Sequence, residues 1–125
     1  MNICKAIAMQ FLNMSNFIYW ALKGTPLPIT GDGNQTRDFT YVGDLVNGLL
    51  RAGYFDSAIG HEFNLAAGRE IKIGDLASMI NERTGSSAGT KTIPKRIWDT
   101  KTRLLASIDK AEKLIKDFPT QIVAV

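Results

Sequence analysis

The sequence predicts an α/β fold, and three observations lead there. Short extended runs alternate with segments of helical period along the whole chain. Helical segments stop at glycine or just before proline. The 125 residues are 45% hydrophobic and 22% charged, an ordinary balance for a chain that folds around a core. This length suits one domain, or one piece of a larger one, and residues 1–125 are read as a single domain.

The first helical segment runs from Met1 to about Lys23. It holds no proline, and Ile7, Phe11, Met14, Ile18 and Leu22 recur at helical spacing. Gly24 is its stop, and Pro26 follows where a helix cannot continue. Leu27-Pro28-Ile29 is extended. Gly31-Asp32-Gly33-Asn34 is a turn cluster. Arg37 to Val42 alternates and carries Phe39, Tyr41 and Val42, which predicts a strand. Asp44 is placed to cap the next helix, where Leu45, Val46, Leu49 and Leu50 share a face. Glu62 to Ala66 reads as a strand, and Ile71-Lys72-Ile73 as another. Gly74 or Asp75 opens a helix with Leu76, Met79 and Ile80 inward and Gly85 as its stop. Lys91 to Ile97 is extended. Ser107 is the expected N-cap of a last helix in which Ile108, Ala111, Leu114 and Ile115 align, with Pro119 beyond it. Three or four short strands are few for a self-sufficient sheet.

Formal net charge is +3, and the surplus is uneven. Through residue 90 the chain carries 7 basic and 8 acidic side chains; from residue 91 it carries 8 and 4. The basic third can meet a nucleic acid, a membrane surface or a phosphorylated metabolite, or be a solvated face. A single cysteine, Cys4, excludes a disulfide within the chain and fits a reducing, cytoplasmic setting. With His61 the one histidine, a Cys/His metal site is disfavoured, so no metal is expected. His61 reads as a turn residue after Gly60. No apolar run reaches membrane-spanning length, and no secretory signal pattern opens the chain.

Two segments can carry chemistry. In Gly31 to Asp44 a glycine turn leads into a strand that begins with Arg37 and ends at an acidic residue. Arg37 can offer a phosphate two parallel hydrogen bonds, and Asp38 can orient it or tie down the turn. The plainer alternative is a surface ion pair between Arg37 and Asp38. In Pro94-Lys95-Arg96-Ile97-Trp98-Asp99, a second arginine precedes an aspartate by three positions. Two arginines can flank a diphosphate, and an aspartate can accept from ribose hydroxyls. The alternative is a basic loop with a half-buried tryptophan.

Together with Glu62-Phe63-Asn64-Leu65 and Asp109-Lys110-Ala111, these segments resemble the C-terminal part of the extended short-chain dehydrogenase/reductase family. The nearest members are NAD-dependent nucleotide-sugar epimerases and dehydratases of the UDP-glucose 4-epimerase type. The resemblance covers about Phe17 to Phe118. It implies the sugar-nucleotide-binding portion of that α/β fold. It also implies substrate contacts from Arg37 and Arg96 to the diphosphate and from Asp99 to the ribose. Leu27, Ile29 and Thr30 would meet the base, largely through backbone. The family has an aromatic residue where Thr30 stands and a proline where Ser15 stands.

The family's dinucleotide fingerprint is not found, because Gly31-Asp32-Gly33 leads to a strand rather than a helix. Its tyrosine-lysine pair is not found either. Tyr19 and Lys23 have the spacing but align with a helix downstream of the catalytic one. No catalytic residue and no cofactor is therefore assigned to this chain, although the intact family uses NAD. The expected partners are a nucleoside-diphosphate sugar, and either further copies of the chain or a dinucleotide-binding Rossmann domain that this sequence lacks. The helix after Asp44 and the strand at Phe63 would pack on such a domain. Nucleic acid is disfavoured because the basic third lacks interleaved aromatics. The alternative function is a non-catalytic interaction module.

Overall fold

The computed structural model describes residues 13–95, 97 and 100–115. The first helix, α1 (Asn13–Leu22), buries Phe17 and Ala21 one turn apart and ends where Gly24 donates to the Ala21 carbonyl. Strand β1 (Leu27–Thr30) follows directly. It pairs in parallel with β4 (Thr90–Ile93), in the register Leu27↔Thr90 to Thr30↔Ile93. Leu27 and Gly31 donate to the carbonyls of Gly89 and Ile93 on the β4 side. Pro28 lies between them, so its missing N–H falls on the open edge and costs no ladder bond.

Helix α3 (Ile73–Thr84) packs against α1 and β1. Its buried stripe is Ile73, Leu76, Ala77 and Ile80, at the i, i+3, i+4, i+7 spacing of one helix face. The helix closes on Gly85, whose φ of 67° lets its N–H reach the Glu82 carbonyl while Ser86 reaches Asn81. The helix starts at Ile73, one or two residues before the Gly74 or Asp75 that the sequence predicts, with Lys72 as N-cap. Met79 was expected inward and is instead 36% exposed. Ala77 takes the core position, because the buried face is turned toward Ile73 and Ala77 and away from Met79.

These elements form one compact unit, drawn from the described residues of 13–35 and 72–100. A second unit comprises 36–71 and the described residues 101–115. It contains β2 (Thr36–Arg37), which is hydrogen-bonded to the short strand β3 (Ile71–Lys72). It also holds α2 (Val42–Tyr54), a 3-10 turn at Asp56–Ala58 and α4 (Asp109–Ile115). Ala58, Ala111 and Ile115 form its buried centre, with Ala52, Phe55, Phe63, Leu65 and Leu114 packed around them. The Ser57 hydroxyl donates to the Leu114 carbonyl and ties the turn to α4.

Several expectations for this unit are corrected. The strand foreseen over 37–42 stops at Arg37, because α2 begins at Val42. Tyr41 is the N-cap of α2. Asp44 sits buried inside the first turn, where its charge meets the positive end of the helix dipole. Residues 62–66 form no strand: among the described residues no other strand pairs with them. The last helix begins at Asp109, and the Ser107 hydroxyl donates to the Asp109 carboxylate instead of capping a backbone N–H.

Leu76 is fully buried whereas Met79 is not. Leu76→Ala should lower unfolding free energy by about 2–5 kcal/mol in urea titrations. Met79→Ala should cost under about 1 kcal/mol.

Candidate functional site

The site is built from a strand that is only two residues long. Thr36 uses every polar group it has. Its N–H donates to the Thr102 carbonyl at 2.8 Å, and its own carbonyl accepts from the Leu104 N–H at 3.3 Å. Its hydroxyl donates to Glu70 Oε1 at 2.6 Å. These bonds hold a parallel bridge between Thr36 and Arg103. They lay residues 101–104 alongside β2 as a strap.

Arg37 comes next, half-buried. Its Nη1 donates to the Thr36 carbonyl at 2.7 Å, and its Nη2 approaches the Lys101 carbonyl at 3.5 Å. The first is a good hydrogen bond and the second is marginal. The guanidinium is thus fixed at one corner and keeps donors free. No hydrogen bond or ion pair joins it to Asp38, so the surface ion pair considered from the sequence does not form.

Asp38 has another task. Its Oδ1 accepts from the Ala67 N–H at 3.2 Å, and its Oδ2 from Gly68 at 3.1 Å and Ala106 at 3.4 Å. One carboxylate thereby gathers two separate backbone segments. Bonds to a charged acceptor are the stronger kind. The Thr40 hydroxyl shares the Ala67 N–H at 3.1 Å. Gly68 has φ of 69°, and a Cβ there would lie 2.5 Å from Cδ1 of Ile108. The positive φ favours glycine, and a side chain there would also have to displace Ile108. The sequence proposed that Asp38 ties down the turn; it ties down 66–68 and 106 instead.

Between these segments opens a pocket of about 430 Å³, lined by Arg37, Asp38, Asn64, Ala66 and Leu104-Leu105-Ala106. Asn64 is oriented by its Nδ2 donating to the Ser107 carbonyl at 3.2 Å. The pocket therefore has one cationic corner, one carboxylate already bonded to backbone N–H groups, one amide and an apolar wall. Such a surface takes an anion attached to a less polar body.

Glu70 and Arg103 complete the frame, and sequence reasoning missed them. Arg103 Nε donates to both oxygens of Glu70 at 2.9 Å, and Nη2 lies 2.8 Å from Oε2. The hydrogen bonds from Arg103 and then Thr36 hold the Glu70 carboxyl below its ordinary range, and Glu70 raises Arg103. The one available signal was an arginine within the basic third of the chain.

The other predicted residues stand elsewhere. Arg96, Trp98 and Asp99 lie outside the described residues, and so does Cys4. Leu27 and Ile29 turn their side chains into the core of the first unit. The Thr30 carbonyl accepts from Gln35 Nε2 at 2.9 Å. The Gly31-Asp32-Gly33-Asn34 turn closes on itself, with Asp32 accepting from the N–H and then the side-chain amide of Asn34. Those bonds, the side-chain one most, lower the Asp32 pKa. Tyr19 is exposed on α1, with Lys23 Nζ 5.9 Å from its ring centre. His61 is an exposed turn residue after Gly60. Among the described residues no cluster of ligating side chains could hold a metal, and no helix is long and apolar enough to cross a membrane.

Comparison with known proteins defines the class. The fold is shared with extended short-chain dehydrogenase/reductase enzymes. The epimerase Mth375 of Methanothermobacter thermautotrophicus is 49% identical, with a TM-score of 0.82 over 89% of this chain and 33% of that one. The UDP-glucuronic acid 4-epimerase of Bacillus cereus, solved with UDP-glucuronic acid and NAD, is 30% identical. Its TM-score is 0.79 over 90% of this chain and 35% of that one. The UDP-glucuronic acid decarboxylase 1 of Danio rerio is 37% identical over 102 residues, 82% of this chain and 24% of that protein. The family model described as "NAD dependent epimerase/dehydratase family" matches residues 12–66. The chain belongs to the NAD-dependent epimerase/dehydratase family. It spans about a quarter of the length of the curated relatives it matches.

A depressed carboxyl stabilises the fold above its unfolded pKa, and that stabilisation is lost as pH falls through the folded pKa. The Glu70 carboxyl should therefore titrate below 4.5 in carbon-detected NMR. Arg103→Ala should move its midpoint back toward that value, and unfolding should become easier for the wild type only as pH drops below it.

Proposed function

We propose that this chain supplies the nucleoside-diphosphate-sugar-binding part of an NAD-dependent nucleotide-sugar epimerase or dehydratase. The ligand class is a UDP-sugar. The observation that carries this reading is Arg37, held at one corner and lining a pocket with an apolar far wall. The names of the relatives support the ligand class: UDP-glucuronic acid decarboxylases and a UDP-glucuronate 4-epimerase. Arg37 would hold the diphosphate, with Arg96 as its second cation and Asp99 on the ribose. Leu27, Ile29 and Thr30 would lie by the base.

Hydride transfer needs a cofactor cradle, and the residues described here do not offer one. The glycine turn at 31–34 is closed by its own Asx bonds and leads to a strand. No step is therefore assigned to NAD on these residues. The 125-residue chain alone is expected to turn over no substrate.

Part of a site binds weakly, because some polar groups find no partner and the ordering cost remains. Calorimetry or NMR titration with UDP-glucose should give a Kd of about 1 mM or weaker, roughly 4 kcal/mol. One charge-assisted contact contributes about 1.5–3 kcal/mol, so Arg37→Ala should weaken binding about tenfold or more. Equal affinities would remove Arg37 from the site.

An interaction role has its own support. Helix α2 exposes Val42, Leu45, Val46, Leu49 and Leu50, and Leu49 is 58% exposed. That stripe is wide enough to drive association. In the intact family it would pack on the dinucleotide-binding domain; alone, a second copy of the chain would cover it. Light scattering across concentrations should show oligomers for the wild type and monomers for Leu49→Glu. A wild type monomeric throughout would end this reading.

A further inference from the structure

The frame around Arg37 has a feature that phosphate binding alone does not call for. Glu70 and Arg103 meet through both carboxylate oxygens, with a third bond from the Thr36 hydroxyl. Exposed ion pairs ordinarily contribute little, and Arg103 is 69% exposed. Geometry makes this one different. The two-oxygen contact fixes direction as well as distance. It also joins the two strands of the Thr36–Arg103 bridge by side chains, in addition to their backbone bonds.

What the bridge holds is the corner of the pocket. The carbonyl that accepts from Arg37 Nη1 belongs to Thr36, and the strap supplies the second carbonyl, that of Lys101. The strap continues as Leu104-Leu105-Ala106, the apolar wall. If the strap shifted, the guanidinium would lose one carbonyl and the wall would move with it. Neither Glu70 nor Arg103 lines the pocket.

We propose that Glu70 and Arg103 are positioning residues, a latch on the 101–104 strap that sets the direction of the Arg37 guanidinium and so the affinity for a diphosphate. This rests on the reading of Arg37 as the diphosphate-binding group. Thr36 is the shared element: Glu70 holds its hydroxyl while its carbonyl holds Arg37. The latch acts without touching ligand.

The test uses the full chain, isotope-labelled, with UDP as probe. The variants are Glu70→Gln, Arg103→Ala and Arg103→Lys. Without ligand, amide exchange at Thr36 and Leu104 should quicken about tenfold in Arg103→Ala, and the Arg37 side-chain N–H signals should move toward solvent positions. Amides of α1 and α3 should be unchanged, which shows that folding is intact. UDP affinity should fall about tenfold, the lower end of the range for losing a group that orients a ligating side chain. Arg103→Lys should recover part of it. Glu70→Gln separates positioning from direct contact. A latch loses affinity when its carboxylate is neutralised, whereas an Arg103 that itself met phosphate would be freed and bind tighter. Unchanged Leu104 exchange and unchanged UDP affinity in Arg103→Ala would overturn the proposal, and so would tighter binding by Glu70→Gln. If Arg37→Ala and wild type bind UDP equally, the nucleotide reading fails. The exchange measurements then still decide whether the latch orders Arg37.

Discussion

The second unit depends on one carboxylate having to find donors. Asp38 is drawn partly out of water between loops that carry few backbone partners of their own. Left unbonded there it would be costly. It is satisfied by the N–H groups of Ala67, Gly68 and Ala106, and those are the bonds that bring 66–68 and 106 to the end of β2. The glycine at 68, the packing of Ile108 over it and the pocket all follow from that gathering. Arg37 is placed beside a carboxylate already committed to backbone, so its donors are not consumed by its neighbour in sequence.

The helices were legible because their signals are local. Gly24 and Gly85 mark the ends of α1 and α3, and the spacing of Leu76 and Ile80 marks the buried face. What failed needed partners that a linear reading does not see. Residues 62–66 have strand composition, yet a strand exists only as a pair. Met79 has core composition, but the buried face of the helix is turned toward Ala77. Asp44 has the chemistry of a cap and works instead from inside the first turn. At the site, Arg37 was visible through its motif. The Glu70–Arg103 contact spans 33 positions and has no pattern in the chain. The diphosphate role given to Arg96 and the ribose role given to Asp99 fall outside the described residues.

The same contrast explains α2. Its apolar stripe was predicted from periodicity, and the structure leaves it facing outward. The small core of this unit, centred on Ala58, Ala111 and Ile115, lies on the other side of the helix. A face of that composition belongs in an interior.

The order of segments has a consequence for synthesis. Residues 36–71 interrupt the first unit, so Leu27 cannot meet Thr90 until the whole of that insertion has left the ribosome. The second unit in turn waits for Ala106 and Ile115. Neither unit can therefore finish before the other has begun, and loop closure must precede most of the reward. On a ribosome, nascent chains halted in the seventies would carry α1 and β1 without a complete α3 or β4, leaving their apolar faces open to a holding chaperone.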